Sequence, residues 1–225
     1  PLHRASGTAG KRDIVKLLIQ EGLHSNTSKR NSRGDTPLSV AAEVTGNYDT
    51  VKTLLNFKAD PSSANQDGDT SLHRACGKGL LDIAKLLLHH KAGASIQNKH
   101  GVTPLQKAGH IGHLALVKIL LKHGANMSIQ NREGDSSLHT ACSEGHLDIA
   151  KLLLETGANT FIKNNKGDSP LHIASYEGHL DIAKLLLDKG ALTNTQNTKG
   201  ETPLHIAGAW GQFAIVRVLL AFHAE

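Results

Sequence analysis

Fifteen histidines in 225 residues are the first feature of this chain that could do chemistry. Imidazole binds transition metals and moves protons near neutral pH, so histidines gathered at suitable spacing would point to a metal centre or a general base. The spacing supports neither. His3, His73, His139, His172 and His205 each follow a leucine in a short recurring string, and His113, His146 and His179 each follow a glycine. A residue copied at one place of a repeat has a framework duty before a catalytic one. His89 and His90 form the remaining suggestive pair. Neighbours on a helix point about 100° apart, so the two do not converge on one ion. The i, i+4 histidine pair of helical zinc sites is missing.

The other reactive groups read the same way. Cys76 and Cys142 hold one motif place two units apart. With stacked helices about 10 Å apart, they sit roughly 20 Å from each other, out of disulfide reach. They read as small buried residues of a reducing compartment. Serines and aspartates abound at helix starts and turns, but no phosphate loop, nucleophile elbow or dinucleotide fingerprint accompanies them. No catalytic residue, metal site or cofactor is assigned, and no small-molecule substrate is expected.

Charge and composition exclude further classes. The net charge is +5, from 25 Lys and Arg against 20 Asp and Glu. Seven of those basic residues, Lys16, Lys52, Lys85, Lys118, Lys151, Lys184 and Arg217, share one motif position. Asp13, Asp49, Asp82, Asp148 and Asp181 precede five of them by three residues, which predicts i, i+3 ion pairs on a helix face. The remaining excess is thin for a nucleic-acid binder. Aromatic residues are 3% of the chain, too few for a base-stacking platform. Leu114 to Leu121, the best apolar run, is broken by Lys118, so no membrane insertion is expected. No signal-peptide pattern opens the sequence. With free cysteines, this points to an intracellular location, cytoplasmic or alternatively nuclear.

The elements that position these residues come from a repeat. TPLSVA at 36–41 returns as TSLHRA (70–75), TPLQKA (103–108), SSLHTA (136–141), SPLHIA (169–174) and TPLHIA (202–207), with PLHRA at 1–5. The leucines of these strings are spaced by 36 and 34 residues, then by 33 four times. Thr or Ser followed by Pro is a helix start. Gly10, Gly46, Gly79, Gly112, Gly145, Gly178 and Gly211 mark where a short first helix must turn. In LDIAKLLLDKG (180–190), Leu180, Ala183, Leu186 and Leu187 fall at helical spacing. Gly22, Gly124, Gly157 and Gly190 end such second helices. A polar stretch opened by Asn31, Asn65, Asn98, Asn131, Asn164 or Asn197 then makes a turn. The fold class is therefore all-α, with each unit a helix, a turn, a helix and a projecting hairpin-like loop.

TPLHIA, GHLDIAKLLLDKGA and the 33-residue period resemble the ankyrin repeat, over the whole chain and in about seven units. The resemblance implies a solenoid in which first helices line a concave face and loops project from its edge. It also implies that the first set of histidines bonds backbone between adjacent units. As a single array over 1–225, the units fall at 1–30 (partial), 31–64, 65–97, 98–130, 131–163, 164–196 and 197–225 (partial). Three departures carry expectations. The loop from Leu23 to Arg33 should be longer than its counterparts. Lys58, Lys91 and His223 replace the helix-ending glycine, so those units should end differently. The last helix, from Phe213, has an interior pattern, with Ile215, Val216, Val218, Leu219 and Leu220 bare, which reads as a fragment of a longer array.

Function belongs at positions free of framework duty. The ends of the first helices supply His110, Glu144, Tyr176, Glu177 and Trp210, expected on the concave face. Tyr176 and Trp210 are neighbours one unit apart and are typical interface anchors; packing against a further unit is the other use of Trp210. The loop tips supply Arg33, Lys99, His100, Arg132, Lys166 and Lys199, a basic edge suited to an acidic segment of a partner, or simply to solvation. The expected function is that of a protein–protein interaction scaffold without catalysis. The alternative is a structural spacer within a longer array, and nucleic-acid binding stands third.

Overall fold

A computed structural model describes residues 1–21 and 27–224. Fourteen helices and no strand are found among them. The first helices of the units are α1 (Leu2–Ser6), α3 (Pro37–Ala41), α5 (Ser71–Gly77), α7 (Pro104–His110), α9 (Ser137–Ser143), α11 (Pro170–Glu177) and α13 (Pro203–Ala209). The second helices are α2 (Arg12–Gln20), α4 (Tyr48–Asn56), α6 (Leu81–His89), α8 (Leu114–Lys122), α10 (Leu147–Glu155), α12 (Leu180–Asp188) and α14 (Phe213–Ala221). First helices pack on first helices and second on second, so the pairs stack as a solenoid.

Local chemistry explains the helix starts. Thr36, Thr103 and Thr202 accept a hydrogen bond from the backbone N–H three residues on, at 3.2, 3.3 and 3.4 Å. Proline occupies the first turn of α3, α7, α11 and α13, where its missing N–H costs nothing. The motif leucines Leu38, Leu72, Leu105, Leu138 and Leu171 and the alanines three residues after them are buried, and with the inner faces of the second helices they form one continuous core. Alanine there leaves room for neighbouring first helices to approach.

The inter-helix glycines turn through the left-handed region, from Gly10 at φ 76° to Gly211 at φ 70°. Gly124, Gly157 and Gly190 end their helices in the same way; Gly22 and the start of the Leu23 to Arg33 loop lie outside the described residues. The expectation for Lys58, Lys91 and His223 is overturned. They take the glycine conformation regardless, at φ 59°, 63° and 60°. The reason is the bond pattern that closes the helix: Ala59, Ala92 and Ala224 donate N–H bonds back to Leu54, Leu87 and Leu219, at 3.0, 3.0 and 3.1 Å. That closure satisfies end carbonyls and holds the strained residue in place, at about 1–2 kcal/mol each.

Two further expectations are corrected. Of the five i, i+3 pairs only Asp82–Lys85 closes, at 3.3 Å, and Asp13 pairs with Arg12 instead. The other lysines stand in solvent, where such a pair is too weak to hold a long side chain. On α14, Ile215 and Leu219 are buried against α12 and the core and Val216 and Val218 are partly buried, whereas Leu220 is bare as expected, together with Phe213 and, just past the helix, Phe222.

Candidate binding groove

The face carrying the first helices and the turns is built by three rows of copied residues. In the first row, asparagine closes each turn. Asn164 Oδ1 accepts from the N–H groups of Lys166 and Asp168, both at 3.0 Å, and Asn31, Asn65, Asn98, Asn131 and Asn197 repeat the pattern. Their amides then reach the preceding unit. Asn65, Asn98, Asn164 and Asn197 donate to Asp35, Asp69, Asp135 and Asp168 at 2.8–2.9 Å. Val102 stands where this series has a carboxylate, and no such bond spans that step. Backbone bonds join successive tips as well, from Gln66 N–H to Arg33 through Thr198 N–H to Lys166.

The second row is histidine. Nε2 of His3, His73, His139 and His172 faces a backbone carbonyl of the next unit at 2.9–3.1 Å, so it carries the proton and donates. In His73, His139 and His172, Nδ1 accepts from the backbone N–H of the helix cap at 3.1–3.2 Å. Burial pushes the pKa of these three below the ordinary histidine value. Gln106 fills the same place: Oε1 accepts from Thr103 N–H at 2.9 Å and Nε2 donates to Asp135 O at 2.6 Å. The imidazoles of His73, His139 and His172 are therefore neutral structural bonds. The third row, at the inter-helix turn, bonds the first helix of the preceding unit. His146 and His179 reach the carbonyls of His110 and Ser143, both at 3.2 Å. His113 instead accepts from Leu116 N–H at 3.3 Å.

Reactive groups elsewhere are quiet. Both cysteines are buried, and burial raises their pKa, that of Cys76 to about 12, which keeps the thiols protonated. Among the described residues no group of three or more His, Cys, Asp or Glu could hold a metal ion. No helix among them is long and apolar enough to cross a membrane.

Between these rows the surface divides by charge. Toward the N-terminal end, carboxylates are answered by cations from the first helices. Arg74 bridges Asp35 and Glu43, both at 2.5 Å, and Lys107 reaches Asp69 at 3.0 Å. Burial opposes ionisation of Asp69, but the Asn98 amide and the Lys107 ammonium outweigh it and hold the carboxyl below its ordinary pKa. A cavity of about 550 Å³ follows, lined among others by Val102, Lys107, His110, Ile111, Glu144 and Ile173. Toward the C-terminal end the place of Arg74 and Lys107 is taken by Thr140, Ile173 and Ile206. There a second groove of about 560 Å³ is walled by Ile173, Tyr176, Ile206 and Trp210. The Tyr176 and Trp210 rings meet edge to face, centroids 4.6 Å apart, yet remain 42% and 59% exposed.

Comparison with known proteins bears on the whole array. The family model for ankyrin repeats matches residues 2–100, 91–164 and 156–225. The chain belongs to the ankyrin-repeat family. It is also similar to ankyrin repeat domain-containing protein 63 of Homo sapiens, with 37% identity over 70 residues. That stretch covers 30% of this chain and 18% of the human protein.

Within the ankyrin array the residues singled out by sequence separate into groups. Tyr176, Glu177, Trp210, Lys166 and Lys199 line the second groove together. His100, His110 and Glu144 line the first, where His110 Nδ1 and Glu144 Oε1 lie 2.8 Å apart, so these two engage each other. Lys99 and Arg132 stand exposed at their tips and line neither groove. Arg33 is tied to Asp35 at 3.2 Å, although its side chain is still largely exposed. Sequence reasoning missed Ile173 and Ile206 as groove walls, and Asp135, Asp168 and Glu201 as lining carboxylates. Their signal was present in the alignment of units: the motif residue before the alanine is Arg in TSLHRA and Lys in TPLQKA, but Ile in the last two copies.

Proposed function

We propose that this ankyrin array recognises another protein without catalysis, through the second groove, with the loop tips as its edge. The observation that carries the reading is the Tyr176–Trp210 pair. Aromatic residues are scarce in the chain, and these two form an edge-to-face pair that leaves both rings open to solvent at a groove wall. Large rigid rings beside a groove supply binding area at low entropic cost, as interface anchors do. Framework duty is already met by the histidine, asparagine and leucine rows, so the pair is free for a partner. Along the tips, Lys99, Arg132, Lys166 and Lys199 form a basic edge that suits an acidic segment at the rim.

The test is affinity capture with the wild-type array and a Tyr176→Ala, Trp210→Ala double variant as baits. The reading expects a partner held by the wild type and lost by the variant. Equal retention by both baits contradicts it and favours a spacer role.

A further inference from the structure

We infer that the second groove takes a cationic segment of its protein partner, with an arginine or lysine side chain laid against the Tyr176 and Trp210 rings. The inference rests on the proposed function and specifies the chemistry of that site. It reverses, for the groove itself, the acidic partner that the tips suggest.

The groove is first an apolar slot. Ile173 and Ile206 replace the cations of the preceding units, and Tyr176 and Trp210 continue the wall. The charge around the slot is one-sided. Glu133, Asp135, Asp168, Glu177 and Glu201 line it, against the ammonium groups of Lys166 and Lys199 at exposed turn tips. None of these five carboxylates lies within salt-bridge distance of a cation, whereas Asp35, Glu43 and Asp69 in the N-terminal half each hold one. The Asn164 amide bonds one oxygen of Asp135, and the Asn197 amide one oxygen each of Asp168 and Glu201; these bonds add no charge. Carboxylates beside an apolar wall with two exposed aromatic faces complement a guanidinium or ammonium on an aliphatic stem. The stem covers the isoleucines, the cation sits over a ring face, and the carboxylates neutralise it. The Arg74 and Lys107 pairs of the N-terminal half are the same solution made internally. The C-terminal half has the carboxylates and lacks the first-helix cation that would pair with them, so the partner supplies it.

The experiment measures binding of a dye-labelled octapeptide that alternates arginine and leucine, beside a matched peptide with citrulline for arginine. Citrulline keeps the shape and removes the charge. The arginine peptide should bind roughly tenfold tighter at low salt, one decade of affinity, and lose that preference at high salt. Glu133→Gln with Glu177→Gln should bring the two peptides within about twofold, since those side chains are exposed and make no framework bond. Salt dependence on the unaltered protein reads the same property without any variant. Equal binding of both peptides, or tighter binding of a glutamate–leucine peptide, overturns the inference. If the Tyr176, Trp210 double variant loses its partner while arginine shows no preference, the groove stands and its cationic occupant falls. If the double variant keeps the partner, the groove reading itself fails.

Discussion

His73, His139 and His172 show how a residue type that suggests catalysis becomes a bracket. Each is held neutral by burial, accepts at one nitrogen and donates to the next unit with the other. Their pKa values are lowered in the fold, so the unfolded chain binds more protons as pH falls. The stability they contribute is complete above the ordinary histidine pKa of 6.5 and is lost as pH drops below it toward their folded values. Melting temperature should therefore fall as pH drops below about 6.5. His139→Gln, which copies the bonding of Gln106, should reduce the proton uptake on acid unfolding by the share of one imidazole. An unchanged pH slope in that variant would show that the imidazole is not the titrating group. Lys91 offers a second test at this scale. Its φ of 63° suits glycine, so Lys91→Gly should raise stability by about 0.5–1 kcal/mol after the entropy cost of glycine, read in a thermal melt.

The turns carry the link between units, and the asparagine row lets its parts be compared. Asn164 makes two bonds within its turn and one to Asp135, whereas Asn131 makes the turn bonds but faces Val102 instead of a carboxylate. Asn164→Ala should cost about 1–3 kcal/mol, and Asn131→Ala less, by roughly the worth of one hydrogen bond. Equal losses in urea melts would mean that the inter-unit amide bond adds nothing. At this scale the sequence was most legible. Caps, turning glycines, motif leucines and turn asparagines recur at one period, so each copy supports the others. The helix ends at Lys58, Lys91 and His223 were misread, because a local preference for glycine yields to bonds made by the residue that follows. The i, i+3 pairs were overread, because spacing permits an ion pair but solvent competes for both partners.

Across the whole molecule, the framework is uniform and the groove is not. Tyr176 and Trp210 could be picked out because they are rare residues at adjacent motif places in neighbouring units. The charge division could not be read so directly. Arg74 and Asp35 are 39 residues apart, and Lys107 and Asp69 are 38 apart. Which carboxylates are answered and which are open depends on how one unit lies against the next, and the overall charge of +5 conceals an acidic groove. The proposed anchor role implies that framework and recognition are separable. The most direct measurement takes the Tyr176→Ala, Trp210→Ala double variant and the wild type, and records partner affinity and thermal melting on the same preparations. Separability predicts at least about tenfold weaker binding, while loss of the aromatic contact lowers the melting temperature by no more than about 5 °C. Unchanged affinity with a large fall in melting temperature would contradict it and make the pair part of the scaffold.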